Sequence, residues 1–162
     1  MALKGDRYEG MTDVSFFMND TSAAKGGIAV LSTGGSGVAL DQSKALVTYA
    51  ASASGNVPVG LLLNDMVNID QTRQHINFHK NEVQKGGKVT LLTKGWVVTD
   101  MITGTPVAGN PAYLTAAGKL TPTKSADGGV VATPPVGRFL SSEDEDGYAK
   151  VAIDLPIVPT NY

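Results

Sequence analysis

Turn residues recur along this chain at intervals of roughly 8 to 12 residues, and that punctuation limits its fold more than any other feature. Gly and Pro supply much of it, as at Gly34-Gly35, Gly86-Gly87, Gly104, Gly109, Gly118, Gly128-Gly129 and Gly147, spread along the chain rather than gathered into one linker. The 19 glycines and 8 prolines make 27 of 162 residues, about a sixth, against roughly an eighth in average usage. Spread in this way, the excess reads as many short strands rather than disorder. The pattern predicts an all-β chain with a small β-barrel or β-sandwich-like body. At this length one domain with a real core is expected.

The strand candidates read off in order. Ile28-Ala-Val-Leu is followed by a turn-rich stretch at 32–37, and Val38-Ala-Leu leads to Ala45-Leu-Val-Thr-Tyr-Ala, where Val47, Thr48 and Tyr49 favour a strand over a short helix capped by Asp41. Val57-Pro-Val-Gly-Leu-Leu-Leu is apolar throughout, which predicts burial on both faces or at a barrel wall, with Pro58 at the strand start. After a polar connection from Asp65 to Glu82, a turn at Lys85-Gly-Gly-Lys opens the clearest unit, Val89 to Asp100. Gly95 inside it predicts a bulge or a close backbone approach. Trp96 beside it reads as core. Ala117-Gly118 reads as a tight turn between two strands. In the final strand Tyr148, Lys150, Ala152 and Asp154 alternate with Ala149, Val151, Ile153 and Leu155, a half-buried edge or meander strand with an apolar inner face.

Residues 1–24 differ from the body at 25–162. They carry Leu3, Tyr8, Met11, Val14, Phe16, Phe17 and Met18 but no helical or alternating period. One reading is a strand or strap covering the edge of its own sheet. The other is an extended, irregular N-terminal arm that docks its aromatic residues on a neighbour, ordered only when a partner ties it down.

Few residues point to chemistry. Net charge is −2 with no basic stripe, which argues against nucleic acid as a partner, and cysteine is absent. No apolar run reaches the roughly 18 residues needed to span a bilayer, so no membrane is expected as a partner. The start of the sequence lacks the basic and apolar stretches of a signal peptide, so a soluble cytosolic product is expected. His75 and His79 stand four apart with Glu82 nearby, but the stretch is poorly helical and lacks a Glu beside the first His. In a strand, that spacing separates two imidazoles by about 13 Å, too far to share a metal. These are expected to be surface or loop histidines, with no metal. The acidic run at 143–146 lacks the spaced ligands of a calcium loop and reads as a solvated hairpin turn. Lys85-Gly-Gly-Lys and Gly34-Gly-Ser-Gly have neither the spacing nor the helix of a phosphate loop. No nucleophile with plausible partners is found, so neither an enzyme nor a cofactor is expected. Only 17% of residues are charged, below the roughly 25% of soluble domains, which suits both a compact β domain and a protein that buries much of its exterior.

Segment order carries a further signal. Val59-Gly-Leu-Leu-Leu-Asn-Asp-Met-Val is followed by Glu82-Val-Gln-Lys-Gly-Gly-Lys-Val-Thr-Leu-Leu-Thr-Lys-Gly-Trp-Val-Val-Thr-Asp, then by Ala108-Gly-Asn-Pro-Ala-Tyr-Leu-Thr-Ala-Ala-Gly-Lys-Leu-Thr. Val136-Gly-Arg-Phe-Leu-Ser, Asp146-Gly147-Tyr148 and a final strand close the series. This order, over roughly residues 55 to 157, resembles the head decoration, or capsid cement, proteins of tailed bacteriophages. The resemblance implies a β body, made in the host cytoplasm, that sits on the outer surface of the mature capsid. It implies the major capsid protein as partner, self-association as a homotrimer or homodimer, and no catalytic residues. On this reading the contacts are Tyr8, Met11, Phe16, Phe17 and Met18 of the arm, since aromatic and Met side chains give large contact area. Two alternatives share the strands and turns: a tail- or fibre-associated structural module, and a carbohydrate-binding β module using Trp96, Tyr49 and Tyr113.

Overall fold

The computed structural model describes residues 2–32, 45–67, 82–124, 126–127, 130–131 and 134–155. The readings at 33–44, at His75 and His79, and at Gly128-Gly129 lie outside these residues, as does most of the 65–82 connection. The strands are β1 (Tyr8–Asp13), β2 (Phe17–Met18), β3 (Ile28–Ser32), β4 (Leu46–Thr48), β5 (Pro58–Leu62), β6 (Asp65–Met66) and β7 (Glu82–Val83). They continue as β8 (Leu91–Thr99), β9 (Pro111–Leu114), β10 (Leu120–Thr121), β11 (Ala126–Asp127), β12 (Val130–Val131), β13 (Gly137–Phe139) and β14 (Ala149–Asp154). Among the described residues the helical content is one 3-10 turn at Ala116–Gly118.

Ten strands form one mixed sheet in the order β10-β9-β13-β14-β8-β5-β3-β4-β2, with β1 added on β8. Two short pairs stand apart: β6 with β7 in parallel, and β11 with β12. The organiser is β8, nine residues long. Leu91 and Leu92 pair with both β1 and β5, while residues Lys94 to Trp96 pair with both β1 and β14. A strand has only two edges, so β5 and β14 follow one another along the edge opposite β1. Gly95 makes the third approach possible. A Cβ there would lie 2.0 Å from the Tyr8 carbonyl oxygen, and β1 is bulged opposite it, between Glu9 and Met11. The close approach expected at Gly95 is therefore present.

Burying apolar area is what holds such a sheet together, and here it is buried on both faces. One cluster gathers Leu3, Ile28, Val30, Leu61, Val97, Leu114, Phe139, Val151 and Ile153, among others. A second gathers Met18, Ala29, Val47, Leu62, Met66, Val89 and Leu91. Leu61 and Leu62 point to different clusters, so the apolar run is buried on both faces at 60–63, with Pro58 opening the strand as expected, while Val57 ahead of it stays 56% exposed. β14 keeps the predicted alternation, but it lies in the sheet interior between β13 and β8 rather than at an edge.

The expected barrel or sandwich needs correction. Strands from both halves of the path, β9 and β10 on one side and β3 and β5 on the other, share the first cluster, so the sheet curls, yet no ladder among the described residues joins its ends. The ends meet through a loop instead: the Ala117 amide donates to the Ala50 carbonyl at 2.7 Å. Gly118 presses on the Tyr49 ring, where a Cβ would sit 2.8 Å from Cδ1. The Tyr49 hydroxyl donates to the Ala24 carbonyl at 2.5 Å and accepts from the Gly27 amide at 3.1 Å. Burial pushes its pKa above the ordinary tyrosine value.

Candidate docking surface

The N-terminal residues do not stand off as an extended arm. They are built into the sheet. The Thr99 hydroxyl donates to the Ala2 carbonyl at 2.9 Å, Leu3 is buried in the first cluster, and the Lys4 amide donates to the Val98 carbonyl at 2.9 Å. β1 then runs along β8, and β2 pairs in parallel with β4. Lys4 also reaches the acidic turn between β13 and β14, with Nζ 2.7 Å from Asp144 Oδ2 and 4.3 Å from the Tyr148 ring centre. That hydrogen bond lowers the Asp144 pKa and raises that of Lys4. The turn itself is shaped by Asp144 Oδ1, which accepts from the amides of Asp146 and Tyr148.

The five residues expected to make contacts divide accordingly. Met18 is fully buried in the second cluster, and Phe16 is half-buried against it. Phe17 is half-buried, with the Lys88 ammonium 5.5 Å from its ring centre. Tyr8 and Met11 remain 59% and 62% exposed. Val14, just past β1, is 56% exposed and belongs with them. β1 is exposed along nearly its whole length, so these apolar side chains stand on a ribbon outside both clusters. A shallow groove follows the ribbon, lined by Met11, Asp13, Val14, Lys88 and Thr93 among others.

Trp96 is not core. Val97 and Thr99 take the buried positions of β8, so alternation turns Trp96 outward, half-buried, with the Lys150 ammonium 3.7 Å from its ring centre. Cross-strand partners share a face, and register places Tyr8, Trp96, Ala152, Arg138 and Pro111 in one row across five strands. Reading that row from the sequence needed the pairing of β1 with β8, which no local pattern announces. Glu82, considered as a metal ligand, sits in β7 beside Asp65 of β6. Among the described residues no three His, Asp or Glu side chains are grouped as metal ligands.

A family model for the structural cement protein (E217 gp24/Pam3 gp6) matches residues 5–154. The chain belongs to that family of phage structural cement proteins. The match extends over the residues of β1 to β14 of the cement protein, the N-terminal ribbon included. As a cement protein it is a non-enzymatic structural component of a phage virion, which agrees with the sequence resemblance. Among curated proteins, none matches this cement protein.

Proposed function

We propose that this cement protein binds the outer surface of the mature capsid and clamps neighbouring capsid subunits against the pressure of packaged DNA. The observation that carries this reading, beyond family membership, is the exposed ribbon of Tyr8, Met11 and Val14 at 59%, 62% and 56%. A large apolar surface outside the core is what a docking strand offers a partner. The partner is the major capsid protein, engaged by a homotrimer or homodimer of the cement protein. Multiple copies act together, so each interface need only be modest.

The test is co-sedimentation with undecorated expanded capsids, with unexpanded procapsids alongside. Saturable binding to expanded shells at a fixed ratio is expected, and absence of binding to both forms would sink the proposal. Removing residues 1–20 is a poor probe of the ribbon, because it also strips Leu3 and Met18 from the core. Tyr8→Ala with Met11→Ala keeps the fold and should weaken shell binding at least tenfold. Undiminished binding by that double variant excludes the ribbon as a contact.

A further inference from the structure

The sheet face that carries Tyr8 and Trp96 also collects cations, although the chain as a whole is net negative at −2. Arg138 stands in the same row as Trp96 and Tyr8. Lys150, opposite Val98, and Lys94, opposite Asp154 and Met11, occupy the rows on either side. Arg138 and Lys94 are exposed, and neither they nor Lys150 belong to an ion pair among the described residues. Asp154 is the carboxylate these rows place nearest to them by register. Between the cations lie Val98, Ala152 and the Trp96 ring, half-buried and apolar, with exposed Leu140 bonded through its amide to the Lys150 carbonyl at 2.7 Å.

Three cations without ion-pair partners over an apolar floor are complementary to carboxylates set among apolar side chains. We infer that this face, on β13, β14, β8 and β1, is where the cement protein meets the shell, and that it takes an acidic patch of the capsid surface. The inference rests on the shell-binding reading above and adds the face and the chemistry of its partner. Single-stranded nucleic acid, which also favours cations beside aromatics, fits less well. Base stacking needs an open ring face, and the Lys150 ammonium covers that of Trp96 at 3.7 Å.

The experiment measures binding to expanded capsids across a salt series for wild type, Lys94→Glu with Arg138→Glu, Lys150→Met, and the remote control Lys124→Glu. Both reversed positions are exposed, so the double variant should fold, and circular dichroism checks it. Wild-type affinity should fall as salt screens the contact. The double variant should bind at least tenfold more weakly, Lys150→Met less severely so, and the control like wild type. Wild-type binding by the double variant at every salt concentration overturns the inference while leaving the proposed function standing. Failure of wild type itself to bind overturns both. Two other outcomes also overturn it. One is salt-sensitive self-association abolished by the reversals with shell binding intact, which assigns the face to a second copy. The other is loss of binding to a fluorescent single-stranded oligonucleotide with shell binding intact.

Discussion

Replacing Met18 by Ala tests whether the N-terminal segment is part of the domain. Met18 is fully buried, in a cluster with Val47, Leu62, Met66, Val89 and Leu91. Its backbone is also engaged: the Met18 amide donates to the Gly87 carbonyl at 3.0 Å, and its carbonyl accepts from the Gly86 amide at 2.8 Å. The neighbours are therefore held by strands on several sides and have little freedom to collapse into the space. Full burial of a Met side chain is worth about 1.5–3 kcal/mol, and an unrelaxed cavity adds to that, so a cost of about 3 kcal/mol is expected. For a domain of this size such a loss lowers Tm by about 6–12 °C. Urea denaturation read by far-ultraviolet circular dichroism, with a thermal scan beside it, measures both quantities. Met11→Ala is the matched control: same side chain, same segment, 62% exposed, with an expected change within about 0.5 kcal/mol. Equal and small losses for the two variants would refute the reasoning, because they would place residues 16–18 outside the folded core.

Three further outcomes are expected. Ala117 holds φ 58°, a left-handed conformation that costs a Cβ-bearing residue about 1–2 kcal/mol. Ala117→Gly should therefore raise stability by about 0.5–1 kcal/mol once the extra freedom of the unfolded chain is counted, and a lower urea midpoint would contradict this. Tyr49→Phe removes the donor to Ala24 and the acceptor for Gly27, for a loss of about 1–3 kcal/mol in the same assay; an unchanged midpoint would mean water replaces both bonds. The Lys4–Asp144 pair stabilises between two limits. Asp144 titrates below its ordinary 3.8, so its contribution is present above that value and lost as pH falls through the lowered one. Lys4 titrates above 10.5, so its contribution is present below that value and lost as pH rises through the raised one. Carboxyl carbon NMR should show the Asp144 titration moving up toward 3.8 in Lys4→Met, and an unmoved curve would remove Lys4 as the cause.

Much of the fold was legible wherever one strand's own pattern carries the information. The doubly buried run ending in Leu61 and Leu62, the alternation of β14, the close approach at Gly95 and the turn at Ala117-Gly118 each depend on a few neighbouring residues. For the N-terminal segment a strap on its own sheet, which the structure shows, was one of two readings, and the sequence could not choose between them for a physical reason. β1 shifts register between Glu9 and Met11 and again between Met11 and Thr12, and each shift breaks the two-residue period by which a strand is recognised. It is also exposed on nearly every residue, so no apolar face marks it. Trp96 misled for a different cause: an apolar neighbourhood in sequence is not an inward position, and only the burial of Val97 and Thr99 fixes which way β8 faces. The curl without closure depends on where the sheet's ends stop, which no local pattern encodes.

The sharing of β8 has a consequence for how the chain is made. Tyr8 pairs with Trp96, 88 residues later, and Lys4 pairs with Asp144, 140 residues later. At a synthesis rate of about 5–20 residues per second, β1 waits about 4–18 s after leaving the ribosome before its partner strand exists. Through that interval Tyr8, Met11 and Val14 are exposed on an unpaired segment. The Lys4–Asp144 contact is later still, since its acidic turn follows β8 in the chain. Docking of the N-terminal ribbon thus waits on β8, and this long sequence separation slows the route. During those seconds only the β8 of a copy further along in synthesis is available to the unpaired β1.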